Sequence, residues 1–249
     1  MLRAYGDGTV FGEPFGVGPV RVIWLHGWGR RGQDFAVAAS ELARRGVASV
    51  ALDLPGFGAS PTPPHAGGAR YYAELIEPVV REIGDGPFVL VGHSFGGTVA
   101  CVLAASHPEM VRDLVLTGAP VLRQPSARRS PLAYRAIRWL HARQIVGDGR
   151  MEAARHRYGS RDYRNATGVM RDVLVISVNE SYEEELVRLD APVTLLWGAS
   201  DTEVPPGVAT RAAALLRTPH TLTVLDGIGH LVPTEAPAKL GDIVGALVE

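Results

Sequence analysis

The sequence has a single cysteine and no long apolar run, and its charges almost cancel. One cysteine excludes an internal disulfide bond, which favours a cytoplasmic protein. A membrane-spanning helix needs about 20 consecutive apolar residues. No run approaches that length, and residues 1–19 lack the apolar core of a signal peptide. The formal net charge of −1 gives no indication of a nucleic acid partner. We therefore expect a cytoplasmic protein that binds neither membranes nor nucleic acids.

What the sequence does contain is a regular alternation of two patterns. Its 249 residues, 46% hydrophobic and 20% charged, suit one large α/β domain, or one domain with an insertion. Short apolar runs typical of strands buried on both faces occur at 22–25, 48–52, 88–91, 114–116, 193–197 and 222–225. Helical patterns fall between or after them, at 33–45, 69–83, 95–106, 206–216 and 235–248. This alternation predicts a mostly parallel, doubly wound sheet with helices on both faces, and a short antiparallel hairpin around residues 9–11 at the sheet edge.

One interval between strands is too long for a single helical crossover, namely the one between the runs at 114–116 and 193–197. We predict that residues 121–190 are an insertion with helices at 132–143, 151–158 and 167–178. Residues 1–120 and 191–249 would then form the core, and the insertion would cover the carboxyl edge of the sheet as a cap, or lid.

The predicted cap is strongly basic along part of its length. From Arg123 to Arg164 the chain has 11 arginines against three acidic residues. These arginines either face an anionic partner or form ion pairs on solvated helix faces. The sequence leaves both interpretations open.

The apolar run at 88–91 continues into Gly92-His93-Ser94-Phe95-Gly96, followed by a helical pattern. A strand, a G-x-S-x-G turn and a helix together predict a nucleophile elbow, with Ser94 at the tightest point of the turn. Gly92 and Gly96 stand where strand and helix backbones would come too close for a Cβ atom. We therefore predict that Ser94 is the nucleophile of an enzyme.

A serine hydroxyl becomes a good nucleophile only beside a base that is itself held in orientation. The candidate base is His230, in the loop after the last strand, and the candidate orienting acid is Asp201, in the loop after the preceding strand. In a parallel sheet both loops open at the same edge as Ser94. Two alternatives stay open: His230 bonds only within its Gly-rich turn, or Asp201 only caps the helix near residue 205. Glu203 is the second choice for the acid.

Acyl transfer also needs two N–H donors aimed at the oxyanion of the tetrahedral intermediate. We predict that these are the backbone N–H groups of Phe95 and of Trp28, the latter in the H-G-W-G loop at 26–29. His26 is expected to brace this loop through its ring. His93 is expected to line the site or to pack beneath it.

Five motifs, in order along nearly the whole chain, resemble those of the α/β-hydrolase superfamily. They are H-G-W-G at 26–29, D-L-P-G-F-G-A-S at 53–60, G-H-S-F-G-G at 92–97, W-G-A-S-D at 197–201 and G-H-L-V-P-T-E-A-P at 229–237. The resemblance implies an α/β-hydrolase fold with a catalytic triad of Ser94, Asp201 and His230. It also implies an oxyanion hole made by Trp28 and Phe95, and no cofactor or metal.

Within the superfamily the first loop and the elbow look like those of serine carboxylesterases that cleave pimeloyl-carrier-protein methyl esters. This implies a small ester substrate, anionic or carrier-bound, hydrolysed through an acyl-enzyme. We expect a monomer or a homodimer. One alternative is a C–C bond hydrolase of meta-cleavage products, but the first loop of that group usually reads H-G-x-G-P-G, whereas Arg30 and Arg31 follow Gly29 here. The other is a receptor on the same fold that binds its ligand without turnover.

Overall fold

A computed structural model describes residues 1–123, 132–158 and 161–248 of the chain. The strands in these ranges are β1 Arg3–Tyr5, β2 Val10–Phe15, β3 Val20–Leu25, β4 Ala48–Asp53, β5 Phe88–His93, β6 Val111–Thr117, β7 Val193–Gly198 and β8 His220–Leu225. They form one sheet in the order β1-β2-β4-β3-β5-β6-β7-β8. β1 and β2 pair antiparallel at one edge, and β3 to β8 run parallel. The predicted sheet and its edge hairpin are confirmed.

Helices connect these strands. The helices of the described residues are α1 Ala36–Arg44, α2 Ala69–Ile83, α3 Phe95–Ser106, α4 Leu132–Ala142, α5 Asp148–Tyr158, α6 Arg161–Asn165, α7 Gly168–Ser177, α8 Glu183–Arg188, α9 Gly207–Ala213, α10 Val232–Glu235 and α11 Pro237–Val248. None of them is both long enough and apolar enough to cross a membrane.

Strand β3 shows why the apolar runs are unbroken. Successive side chains of a strand point to opposite faces of the sheet. Val22 and Trp24 pack into the core that α1 and α11 cover, whereas Ile23 and Leu25 pack into the core that α2, α3, α8 and α9 cover. All four side chains are fully buried. The sheet therefore has helices on both faces, as the sequence predicts.

Three predicted helices have different ends in the structure. The helix predicted at 33–45 begins as a short 3-10 turn, Gly32–Phe35, and the one predicted at 206–216 is limited to α9. The last predicted helix, 235–248, corresponds to α11, and a separate short helix, α10, precedes it; Ala236 divides the two and has a φ of −137°, which is not helical. The division has a local cause, because a proline disfavours the helical conformation of the residue before it and has no N–H to donate.

Between β6 and β7 the described chain is helical. The helices predicted at 132–143, 151–158 and 167–178 correspond to α4, α5 and α7, while α6 and α8 are additional. Helix α8 packs against α3 and buries Leu186 completely. Arg128 and Arg129 of the predicted basic segment lie outside the described residues. The division of the chain into core and cap stays a prediction.

Candidate active site

Ser94 lies at the junction of β5 and α3, in a backbone conformation that few non-glycine residues adopt. Its φ is 50° and its ψ is −118°, and its N–H donates to the carbonyl of Thr117 at the end of β6 over 2.8 Å. A Cβ on Gly92 would lie 2.5 Å from the Cα of Gly97, and a Cβ on Gly96 would lie 2.3 Å from the carbonyl oxygen of Leu25. Both close approaches agree with the predicted elbow, in which glycine is required on each side of the serine.

Asp201 and His230 come from two loops at the carboxyl edge of the sheet and meet through a hydrogen bond. Nδ1 of His230 donates to Oδ2 of Asp201 over 2.8 Å. The other carboxylate oxygen, Oδ1, accepts the backbone N–H groups of Glu203 at 2.9 Å and of Val204 at 2.8 Å. Asp201 is 4% exposed. One oxygen thus orients the imidazole and the other holds the turn at 201–204; the helix-capping alternative is wrong, because α9 begins at Gly207 and has no side-chain cap.

The loop that carries His230 is held by a glutamate that the sequence did not single out. Glu235 of α10 accepts the N–H of Gly229 at 2.6 Å and that of Leu231 at 3.1 Å. Beneath the imidazole lies Gly118, where a Cβ would come within 3.0 Å of the His230 ring. The pattern G-H-x-x-x-x-E at 229–235 is a sequence signal that could have identified Glu235, whereas nothing in the sequence marks Gly118.

The bond that would join Ser94 to His230 is not made in this structure. With the residues that the structure describes, the Ser94 side chain forms no hydrogen bond. Nε2 of His230 instead lies 3.6 Å from Oε2 of Glu203. The ring of His93, next to Ser94 in the chain, is 4.9 Å from the His230 ring between centroids. The structure thus pairs two of the three predicted residues and leaves the third unbonded nearby.

The environment of His230 raises the pKa of its imidazole above 6.5. Burial alone lowers this pKa, because a charged ring loses its hydration. The hydrogen bond and charge of Asp201, together with the charges of Glu203 and Glu235, act in the opposite direction and prevail. Glu203, the second choice for the orienting acid, lies on the Nε2 side of the ring, whereas Asp201 binds Nδ1.

The two predicted oxyanion donors are the backbone N–H groups of Phe95, at the start of α3, and of Trp28, in the loop after β3. The N–H of Phe95 belongs to the first residue of α3, and the first four N–H groups of a helix have no acceptor within the helix. Trp28 lies in a turn closed by the Arg30 N–H donating to the carbonyl of Gly27 over 3.2 Å. The Trp28 ring meets the Phe95 ring edge to face, with centroids 5.7 Å apart. The ring contact keeps the two segments adjacent.

Two buried histidines pack around the site. His26 accepts the N–H of Leu54 at Nε2 over 2.9 Å, so its Nδ1 carries the proton and donates to the carbonyl of Gly27 over 2.8 Å. His93 donates from Nδ1 to the carbonyl of Thr117 over 3.1 Å. Burial lowers the pKa of His26 to about 4 and that of His93 to about 3. His26 braces the loop, as predicted, and His93 packs beneath the site.

No group of three or more His, Cys, Asp or Glu side chains suited to a metal ion occurs among the described residues. Cys101 is fully buried in α3, and burial raises the pKa of its thiol. It is a core residue.

Curated proteins that resemble this chain over most of their length include esterases and a lipase. A pimeloyl-[acyl-carrier protein] methyl ester esterase of Chromobacterium violaceum is 29% identical over 80% of this chain and 82% of its own. Esterase Rv0045c of Mycobacterium tuberculosis is 27% identical over 97% of this chain and 87% of its own. Lipase LipV of the same organism is 29% identical over 91% of this chain and 92% of its own.

Solved structures share the fold at lower sequence identity. An esterase of Exiguobacterium antarcticum, 19% identical, superposes with a TM-score of 0.75 over 100% of this chain and 99% of its own. A meta-cleavage product hydrolase of Pseudomonas fluorescens IP01, also 19% identical, superposes with a TM-score of 0.72 over 100% of this chain and 97% of its own.

The model of one protein family, described as the alpha/beta hydrolase fold, matches residues 20–145, which is just over half of the chain. The match takes in the H-G-W-G loop and the elbow, and the topology described above continues through the remaining strands. The chain belongs to the α/β-hydrolase fold family, within its branch of esterases and lipases.

Proposed function

We propose that this protein is a serine carboxylesterase whose catalytic residues are Ser94, Asp201 and His230. The observation that carries the proposal is the hydrogen bond between Asp201 and His230, made at the edge of the sheet where the elbow presents Ser94. A serine in this backbone conformation is costly to hold, and such strain is typical of functional positions.

In this mechanism Nε2 of His230 takes the proton of the Ser94 hydroxyl as the serine oxygen attacks the ester carbonyl. Asp201 keeps the proton of the neutral imidazole on Nδ1, so that Nε2 presents its lone pair, and it stabilises the imidazolium that forms. Hydrogen bonds between catalytic groups are often long in unliganded enzymes and shorten when substrate binds. The absent bond from Ser94 to His230 is therefore compatible with the mechanism and is expected to form in the substrate complex.

The carbonyl oxygen becomes an oxyanion as the tetrahedral intermediate forms, and the N–H groups of Trp28 and Phe95 are the proposed donors to it. His230 then gives its proton to the leaving alcohol, and an acyl-enzyme on Ser94 remains. Water, activated by the same imidazole, releases the acid. Fixed donors of this kind stabilise developing charge without having to reorganise.

The proposal includes a cap role for the helices between β6 and β7. The insertion follows the strand whose last residue, Thr117, binds the Ser94 N–H. Sδ of Met170 in α7 lies 3.8 Å from the Tyr72 hydroxyl, and the Tyr72 ring is 4.9 Å from the Phe95 ring. Helix α7 thus reaches the aromatic side chains beside the elbow, which supports a cover over the acyl group.

For the substrate, we propose a small carboxylic ester, free or carried by an acidic protein. The relative from Chromobacterium violaceum is named for a carrier-bound methyl ester. The described helices α4 and α5 expose four arginines that form no ion pair with any described residue, namely Arg135, Arg138, Arg150 and Arg157. An acidic surface would match them in charge.

The test is hydrolysis of aryl and methyl esters by the wild type and by Ser94→Ala. We expect kcat to fall about 10⁶-fold in the variant, as in comparable triads, and a fluorophosphonate to label the wild type only. An almost fully active variant would contradict the proposal. One equivalent of product without steady turnover would favour a receptor instead, and the same methyl ester offered free and on an acidic carrier would show which form is preferred.

A further inference from the structure

A cleft of about 420 Å³ opens at the surface beside the loop that carries Trp28. One wall is the segment after the H-G-W-G loop, and the other is the segment after His230. The residues that matter to the argument are Gly29, Arg30, Arg31, Asp34, Pro233 and Thr234. The cleft is therefore built by the continuations of two loops that we assign to the proposed active site.

The two walls are held together by packing of α10 against the 3-10 turn Gly32–Phe35. This turn is itself fixed from below, because the Gly32 N–H donates to the buried carboxylate of Asp53 over 2.7 Å. Thr234 donates its hydroxyl to the carbonyl of Leu231 over 3.2 Å. The cleft thus has walls that are ordered by hydrogen bonds on both sides.

The charge of the cleft is not balanced by the protein. Arg30 is paired with Asp34, with 2.5 Å between Nε and Oδ2. Arg31 is exposed, and no carboxylate of the described residues lies within ion-pair distance of it. Two guanidinium groups and one carboxylate leave one positive charge. A single carboxylate from a ligand would neutralise it, and a guanidinium binds a carboxylate through two parallel hydrogen bonds.

The cleft adjoins the segments that carry the proposed catalytic groups. Gly29, which lines the cleft, directly follows Trp28, and Pro233 lies three residues after His230. A ligand bound in the cleft would therefore lie next to the two loops that hold the proposed oxyanion donor and the proposed base.

We propose that this cleft is a subsite for a carboxylate at the far end of the ester substrate, and that Arg31 is the residue that selects for it. The inference rests on the proposed esterase function and names its substrate class, a monoester of a dicarboxylic acid. Arg31 acts on specificity and is not placed among the reacting groups.

The experiment measures kcat/KM for matched pairs of methyl esters that differ only at the far end of the acyl chain. One member is the monomethyl ester of a dicarboxylic acid, the other the methyl alkanoate of equal length, over chains of four to eight carbons. The wild type should prefer the carboxylate member for at least one chain length. In Arg31→Gln the ratio of the two kcat/KM values should fall about tenfold, the equivalent of about 1.4 kcal/mol.

Arg21→Gln is the matched control. Arg21 is also an exposed arginine without an ion pair in the described residues, but it lies near the amino end of β3, at the opposite edge of the sheet. Its replacement changes the net charge equally and should leave the ratio as in the wild type. Added salt should reduce the wild-type ratio and should barely affect that of Arg31→Gln, since exposed charges are screened. An unchanged ratio in Arg31→Gln, or an equal fall in Arg21→Gln, would overturn the inference.

The experiments distinguish a failure of this inference from a failure of the proposed function. If activity survives in Ser94→Ala, the serine mechanism is contradicted, but the ratio of the two kcat/KM values still tests whether the cleft binds a carboxylate. If no ester is hydrolysed, calorimetric titration with adipate decides: binding that is lost in Arg31→Gln and kept in Arg21→Gln supports the subsite, and equal or absent binding refutes it.

Discussion

The exposed carboxylate of Glu203 bears on the proposed catalytic chemistry through its contact with His230. It lies 3.6 Å from Nε2 of His230, on the side from which the proposed mechanism removes the serine proton. A negative charge there stabilises the imidazolium. Glu203 therefore favours the protonated, inactive form of the base when no substrate is bound.

Replacing Glu203 by Gln removes this charge and should lower the pKa of His230. Because only the neutral imidazole can act as base, the lower limb of the profile of kcat/KM against pH should move to lower pH. Stopped assays with a neutral aryl ester between pH 5 and pH 9 measure the shift. Glu13→Gln on β2, toward the opposite side of the sheet from β7 and β8, is the control and should leave the limb in place. A shift to higher pH would contradict the assignment of the charges around His230.

At the scale of elements, the junction of β5 and α3 depends on backbone approaches that exclude side chains. The carbonyl oxygen of Leu25 occupies the position that a side chain at Gly96 would need. The first turn of α3 can therefore rest directly on the end of β3. The same contact brings the H-G-W-G loop, which follows β3, next to the Phe95 N–H.

Gly96→Ala should destabilise the protein, because a Cβ placed 2.3 Å from a backbone oxygen forces the helix away from β3. We expect a loss of about 1–3 kcal/mol in the free energy of unfolding, the range for overpacked cores, measured by urea denaturation. Gly149→Ala in α5 is the matched control. A Cβ there meets nothing within 4 Å, so its effect should lie between none and a gain of about 1 kcal/mol. Equal stability of wild type and Gly96→Ala would contradict the packing described for the elbow.

For the molecule as a whole, the two neutral histidines of the core link stability to pH. Burial lowers the pKa of His26 to about 4 and that of His93 to about 3, below their value of 6.5 when unfolded. As pH falls below 6.5 the unfolded chain takes up protons that the folded chain does not, so unfolding becomes more favourable. The stabilisation is complete above pH 6.5 and is lost as pH falls toward 4 and then 3. His230, with its raised pKa, contributes in the opposite direction above pH 6.5.

We expect the urea midpoint to decrease steadily from pH 6.5 to pH 5, with a contribution of about 2 kcal/mol from each buried histidine at pH 5. His93→Gln should make this dependence on pH shallower, whatever its effect on stability at pH 7. Arg44→Gln, an exposed substitution on α1, should leave the slope unchanged. A midpoint that stays constant from pH 7 to pH 5 would mean that the two rings are protonated in the folded state.

The order of strands and helices, the burial of β3 on both faces and the elbow were all determined by local features of the sequence. Apolar runs and helical periodicity indicate which residues are buried. The G-x-S-x-G pattern indicates a turn in which the backbone needs glycine on each side of Ser94. Helix ends were less well predicted. The break at Ala236 has a local cause in Pro237, whereas the 3-10 turn before α1 depends on its packing against α10.

The tertiary structure alone decided which groups face His230. Asp201 and His230 lie 29 positions apart and meet only because adjacent parallel strands end at the same edge. The sequence offered Glu203 as a second choice for the orienting acid, but only the folded loops place its carboxylate beside Nε2 of His230. Nothing in the sequence marks Gly118, which lies against the His230 ring. The cleft at Arg31 also depends on tertiary structure, because its second wall, at 233–234, comes from a distant part of the chain. The sequence shows how many arginines there are, but the cleft beside Arg31 exists only because α10 packs onto the 3-10 turn before α1.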